Sequence, residues 1–296
     1  MRTPQLQPKP SRFALNQFCE DFDRPVAAHL IRDILPAGGL AVISGREKSG
    51  KTFLALNMVL SVASGDRFWQ ALPNRKIQDS SRDGIIVYIS AEGTAGFRMR
   101  KKAHAQFRGW SSEKMKSIRF FDIQAAPNMR NQKDLSDLIT EISKTGKKIS
   151  AIVIDTLART LCGNENDGKE LTEYVNSCDL LSREFNTLVI LVHHLGKDNE
   201  KGMRGHSSLP AAVDVEIRVE RHDDVRSVSI MTAKDIAEQE GIFHFLLKPI
   251  VVGKDSEGGD VVSCHVLACE APNEKQKNSS KGKPTNSNKK DGNGAF

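Results

Sequence analysis

Long apolar runs are missing from this chain of 296 residues. None approaches the roughly 20 residues that a membrane-crossing helix needs. Behind the basic residues Arg2, Lys9 and Arg12 there is no apolar segment of the kind a secretory leader carries. A cytoplasmic location without membrane contact is expected. Cysteine is scarce: Cys19, Cys162, Cys178, Cys264 and Cys269 are odd in number, dispersed, and form no C-x-x-C pair. That usage argues against a disulfide framework and predicts reduced thiols. Cys264, His265 and Cys269 invite a metal site, but they lie on an alternating apolar stretch without a second ligand pair. Neither sign of charge dominates. The formal net charge of +6 is compatible with a polyanionic partner without requiring one, and part of the excess sits in the C-terminal tail. No primase, nuclease or separate DNA-binding module is visible beside the main body of the chain.

What is present centres on G-R-E-K-S-G-K-T, Gly45 to Thr52. It stands between the apolar run Leu40 to Ser44 and a run with helical spacing, Phe53 to Ala63, so the order is strand, glycine loop, helix. In that setting the pattern G-x-x-x-x-G-K-[ST] is a phosphate cradle: loop N–H groups turn inward and the helix dipole points at the same place. Binding of a nucleoside triphosphate is expected at Gly45, Arg46, Glu47, Lys48, Ser49, Gly50, Lys51, Thr52 and Phe53. Lys51 reaches the β and γ phosphates, and the Thr52 hydroxyl is a Mg²⁺ ligand. Lys48 reads as a solvated loop lysine.

The length allows one large domain or two small ones. Residues 1 to 21 form a proline-bearing arm with at most a short helix around Phe13 to Phe18, residues 22 to 270 the main domain, and residues 271 to 296 a Lys/Asn/Ser/Gly-rich tail expected to be disordered. Within the domain, Val26 to Leu35 is amphipathic and ends in the manner of a helix, with Pro36 and Gly38-Gly39. The runs Ile85 to Ala91, Ile118 to Phe121, Ile149 to Asp155 and Leu188 to His194 read as strands. Helical patterns over Arg98 to Phe107, Asp134 to Thr145 and Leu171 to Phe185 alternate with them. Strands apolar throughout and alternating with helices indicate a parallel sheet covered on both faces. Val213 to Arg221, Ser227 to Thr232, Ile242 to Val252 and Val261 to Cys269 are separated by hairpin-like connections and finish the sheet with antiparallel strands. The fold class is α/β, a mostly parallel twisted sheet flanked by helices.

Ligands of open α/β sheets bind at the carboxyl ends of the strands. There Asp155 closes I-V-I-D in the form of a Walker B acid, a second Mg²⁺ contact; a cap for the following helix is the competing reading. No Glu follows Asp155, so the residue that orients water comes from elsewhere. Glu92, at the end of the Ile85 run in S-A-E-G-T, is the candidate, against an ordinary solvated acid.

This placement of the glutamate resembles the RecA-like ATPases, and within them the hexameric replicative helicases of the plasmid RepA type and related phage and prophage ATPases. The resemblance spans roughly residues 22 to 252. It rests on L-P-A-G-G-L-A-V-I-S-G-R-E-K-S-G-K-T, I-V-Y-I-S-A-E with Arg98 and Arg100 downstream, A-I-V-I-D-T-L-A-R, L-V-I-L-V-H-H-L-G-K and R-G-H-S-S-L-P-A-A-V-D. It implies that the strand ending in His193-His194 lies between the strands of Gly45 and Asp155, with His194 facing the γ-phosphate; a buried, hydrogen-bonded histidine competes with that role. It implies that Arg204 is an arginine finger entering a neighbour's site, against a surface loop arginine, and that Lys234 is a second intersubunit cation. A homo-oligomer, by preference a hexameric ring, is the corresponding assembly, with single-stranded DNA and other replication proteins as partners. Lys169, Lys197 and Lys201, in the two loops 160–169 and 196–206, could track phosphates. Neither loop offers an aromatic for base stacking, and Glu165, Asp167, Asp198 and Glu200 dilute their charge. The implied activity is a DNA-dependent ATPase of the helicase kind. A RecA-like regulatory or recombination ATPase that binds DNA without unwinding it is the first alternative, and a small-molecule P-loop kinase the second.

Overall fold

A computed structural model describes residues 29–66, 83–195, 207–234 and 239–271. The expected N-terminal arm, the loop 196–206 and residues 272–296 of the tail lie outside these.

Four apolar runs form the parallel centre: β3 (Gly39–Gly45), β4 (Ile85–Ser90), β6 (Ile149–Asp155) and β7 (Leu188–His194). They are buried almost without a break because both faces are covered. On one face Ala41 and Ile43 meet Leu54, Met58 and Val62 of α1 (Lys51–Ser64) and Phe97 of α2 (Thr94–Phe107). On the other, Leu40 and Val42 join the cluster that holds Leu135 and Leu138 of α4 (Gln132–Ser143), Leu157 and Leu161 of α5 (Leu157–Leu161), Leu171 and Leu181 of α6 (Gly168–Phe185), and Leu209 of α7 (Ser208–Ala212). Successive residues of one strand thus serve opposite layers, as the pleat requires.

The sheet has nine strands. β3 lies between β7 and β8 (Val215–His222), and β7 lies between β3 and β6, as the resemblance implied. β4 follows β6, and β5 (Phe120–Ile123) closes that edge. On the far side, β8 runs parallel to β3 and then antiparallel to β9 (Val225–Ala233), which leads to β10 (Gln239–Lys254) and β11 (Asp260–Cys269), each antiparallel to the one before. The fold is RecA-like α/β with an antiparallel C-terminal extension. Because β3, β4, β6 and β7 are mutually parallel, Gly45, Ser90, Asp155 and His194 all emerge on one edge of the sheet.

Three expectations are corrected. Residues 29–36 form a small hairpin, β1 (His29–Ile31) and β2 (Leu35–Pro36), instead of a helix. Leu30, Ile31, Ile34 and Leu35 are all buried, and their spacing serves a helix face and a tight hairpin equally; Asp33, with φ +56°, makes the turn. β5 begins two residues later than Ile118. Short helices at α3 (Ser112–Ser117), α5 and α7 were not expected, and α6 starts at Gly168, inside the stretch read as loop.

The C-terminal ribbon docks on α2 through histidines. His265 of β11 stacks on Phe107 at 4.0 Å and meets His104 at 4.8 Å. Both histidines are almost fully buried. Burial first, then the neighbouring charges of Arg108 and Lys248, holds His265 down to about 4; burial, His265 and Arg108 hold His104 down to about 2. Both imidazoles therefore stay neutral in the folded chain at pH values where the unfolded chain is already protonated. Their stabilising contribution is complete above pH 6.5 and is lost as pH falls through 6.5 towards 4. His265→Phe keeps the stack and removes one of these titrations. Its melting temperature is expected to drop less between pH 8 and pH 5 than that of the wild type, as measured by circular dichroism.

Candidate active site

The phosphate cradle is built by the junction of β3 and α1. Gly50, the N-cap, has φ +100°, and a Cβ there would stand 3.3 Å from the Phe245 ring of β10. At Gly45 a Cβ would stand 2.5 Å from the Val219 carbonyl oxygen. Both positions need glycine, one for conformation and the other for close approach. Arg46, Glu47 and Lys48 are exposed, whereas Ser49 and Lys51 are buried. α1 has no side-chain cap and no acid in its first turn. Its first N–H groups are thus presented with the dipole's positive end, which fits an anion.

Lys51 folds back over the loop. Its Nζ donates to the carbonyls of Gly45 at 2.9 Å and Arg46 at 2.8 Å and lies 3.3 Å from His194 Nδ1. Burial draws its pKa down to about 8, against the opposing charges of Asp155, Glu47 and Glu92. His194 is half-buried, and its pKa is lowered by that burial and by the Lys51 charge. Its neighbour His193 is fully buried beside Ser44, on the other side of the strand.

Asp155 is buried at the end of β6, beside Ser90 of β4. Its Oδ1 lies 3.3 Å from Thr52 Oγ1, and its Oδ2 accepts a hydrogen bond from the Tyr88 hydroxyl at 2.7 Å. Burial raises the pKa of this carboxyl, while the bonds from Tyr88 and Thr52 and the charge of Arg100 draw it back. Arg100 of α2 sits over the Phe53 ring, 5.1 Å from its centre. Glu92 is exposed just beyond β4, and its Oε1 accepts from Thr156 Oγ1 at 3.0 Å. Thr156 is the N-cap of α5 without a side-chain cap bond, so its hydroxyl serves the neighbouring strand instead of its own helix.

Lys51, Thr52, Glu92, Asp155 and His194 are thus brought together with the loop 45–53 at one strand edge. Arg204, Lys197 and Lys201 lie outside the described residues. Lys234 does not stand free: it forms an ion pair with Asp214 of its own chain at 2.7 Å. Lys169 is in the first turn of α6, among Asp167, Glu170 and Glu173. Arg130 ties Glu170 and Glu173 to the loop after β5, so this side of the edge is held by acids and one internal arginine.

Tyr88, Arg100 and Thr156 are contacts that the sequence reading did not assign. Arg100 was legible in principle: it follows Phe97 by three residues, so the buried ring fixes which face of α2 the guanidinium shares. The two hydroxyls carry no such signal.

A hydroxyl and a carboxylate side by side next to an anion cradle are hard oxygen donors suited to Mg²⁺, an ion that keeps waters and phosphate oxygens among its ligands. Among the described residues no group of three or more His, Cys, Asp or Glu side chains could cage a metal, at Cys264, His265 and Cys269 or elsewhere. The arrangement can hold a polyphosphate, neutralise its terminal charge and place a carboxylate beside it.

Comparison with known proteins agrees with this geometry. The sequence matches the AAA domain family over residues 7–200. Among solved structures the fold is similar to the ATPase domain of a phage helicase, with a TM-score of 0.51 and 15% identity over 71% of this chain and 82% of that one. Curated proteins give no match.

Proposed function

This chain belongs to the AAA domain family of P-loop ATPases, and from that premise we propose that it hydrolyses ATP with Mg²⁺ as a ring-forming, DNA-dependent motor of the replicative helicase type. The observation that carries the reading is the meeting of Lys51, Asp155, Glu92 and His194 at one edge of the sheet, around an uncapped helix N-terminus.

In this reading the loop N–H groups and Lys51 hold the β and γ phosphates. Bound by Thr52 and, through water, by Asp155, Mg²⁺ neutralises charge on the phosphate oxygens. Glu92, within electrostatic reach of Lys51 and His194 and steadied by Thr156, orients the attacking water and accepts its proton. The water oxygen bonds to the γ phosphorus as the bond to ADP breaks. His194, against Lys51, senses occupancy of the γ position. Arg204 is supplied by the next subunit, which couples turnover to a closed assembly.

Glu92→Gln keeps the hydrogen bond from Thr156 and removes the base. Its kcat is expected to fall by about a hundredfold or more with ATP affinity unchanged, the range for loss of a positioned base. Steady-state turnover and equilibrium binding on the same preparation check it. The motor is tested by turnover with and without single-stranded DNA at low salt, where the absence of stimulation counts against it.

One feature favours the second reading, an ATPase that binds DNA without unwinding it. The segment between β6 and α6 carries Glu165 and Asp167, is pinned through Glu170 by Arg130, and has no ring for a base to stack on. A strand-displacement assay separates the two.

A further inference from the structure

β4 and β6 exchange hydrogen bonds at the site. From β4 the Tyr88 hydroxyl donates to Asp155 Oδ2, and from the end of β6 Thr156 Oγ1 donates to Glu92 Oε1 beyond β4. Packing asks for neither hydroxyl. Tyr88 is fully buried, 4.7 Å from the Phe97 ring and 6.0 Å from that of Phe120, with Val153 beside it in register. Phenylalanine would fill this place with no polar atom to satisfy. Thr156 is equally buried, and valine has its shape. A buried hydroxyl is costly without a partner, and in both cases the partner is a carboxylate of the candidate site.

The geometry has a direct consequence for each acid. With Oδ2 occupied by Tyr88, the Asp155 carboxylate cannot turn about its own axis, and Oδ1 is left facing Thr52. With Oε1 held by Thr156, the otherwise exposed Glu92 is kept over the strand end. The Ala91 amide also donates to the Asp155 carbonyl at 2.7 Å, so the backbones of the two strand ends are joined between the acids.

We propose that Tyr88 and Thr156 are positioning residues, each strand steadying the acid of its neighbour: Tyr88 fixes the carboxylate that helps to hold the divalent cation, and Thr156 fixes the carboxylate that orients water. The proposal rests on the ATPase reading above. The spacing of the two acids is then set by β4–β6 pairing instead of by either loop.

Because the two hydroxyls serve different acids, their loss has different signatures. Binding of a fluorescent ATP analogue to the full-length protein is measured in Mg²⁺ and in EDTA, together with turnover and melting temperature, for Tyr88→Phe, Thr156→Val, Thr156→Ser and Phe97→Leu. Tyr88→Phe weakens binding in Mg²⁺ by about tenfold, the usual loss when the partner of a metal-holding group is removed. Its binding in EDTA stays within about twofold of wild type on the same principle. Thr156→Val lowers kcat without changing either binding constant, and Thr156→Ser restores it. Phe97→Leu, which disturbs the ring packing but leaves both hydroxyls, lowers melting temperature and leaves the Mg²⁺ dependence of binding alone. Equal losses in Mg²⁺ and EDTA for Tyr88→Phe, or no loss in either, would overturn the role of Tyr88. A Thr156→Val protein with wild-type kcat would overturn that of Thr156. A wild-type protein that binds no nucleotide in either condition removes the ATPase reading itself and the proposal with it, a result none of the variants can mimic.

Discussion

Lys51→Ala is expected to lower ATP turnover by about a thousandfold, the upper range for loss of one preorganised charge at a developing anion. The structure makes this residue hard to replace. Its ammonium is held by two loop carbonyls and approached by His194, all within hydrogen-bond range, while desolvation draws its pKa down to about 8. A buried cation in that state is ready to exchange the carbonyls for phosphate oxygens, which restore what burial took away. Lys51→Arg is expected to fare no better, because the forked guanidinium is larger than the enclosed space and cannot act as a point charge. Turnover by phosphate release and affinity by fluorescent nucleotide are the measurements. A Lys51→Ala protein with the wild-type rate would take the loop 45–53 out of the chemistry.

Arg204→Ala is expected to lower turnover by about a thousandfold while each subunit still binds ATP, since a finger supplied from outside acts on the transition state and hardly on the ground state. Mixing decides where the arginine comes from. A subunit with Arg204→Ala keeps an intact cradle, and a subunit with Lys51→Ala keeps an intact finger. Combined, the two inactive proteins are expected to regain part of the wild-type rate, because some interfaces pair a good cradle with a good finger. No recovery on mixing, with Arg204→Ala inactive alone, would place the arginine in its own subunit's site. An unchanged rate in a monomeric Arg204→Ala protein would favour the small-molecule kinase alternative. Solution mass with and without nucleotide and Mg²⁺ accompanies this test, since every role in trans presupposes an assembly. Lys234 is a weaker candidate for such a role, because its charge is already paired with Asp214.

How the site was legible differs from residue to residue. Gly45 to Thr52 could be read directly, because the strand, the loop and the helix that make a phosphate cradle are contiguous in the chain. Asp155 and Glu92 were legible as strand ends, since an apolar run closed by an acid marks both the length of a strand and the point where it leaves the core. Tyr88 and Thr156 were not. They look like ordinary β-formers, and their partners lie 67 and 64 residues away. Hydropathy reports burial, but not the side-chain atom that a hydroxyl meets once buried.

The sequence by itself determined the contiguous features: the cradle, the alternation of strands and helices, and the boundaries of β6 and β7, where apolar side chains give way to Asp155 and His194 in one step. Only the tertiary structure decided which acid faces which cation, that residues 29–36 are a hairpin, and that Lys234 spends its charge inside its own chain. The physical reason is range. Periodicity and turn chemistry act over a few residues, whereas strand pairing brings together groups whose separation along the chain carries no trace of their contact.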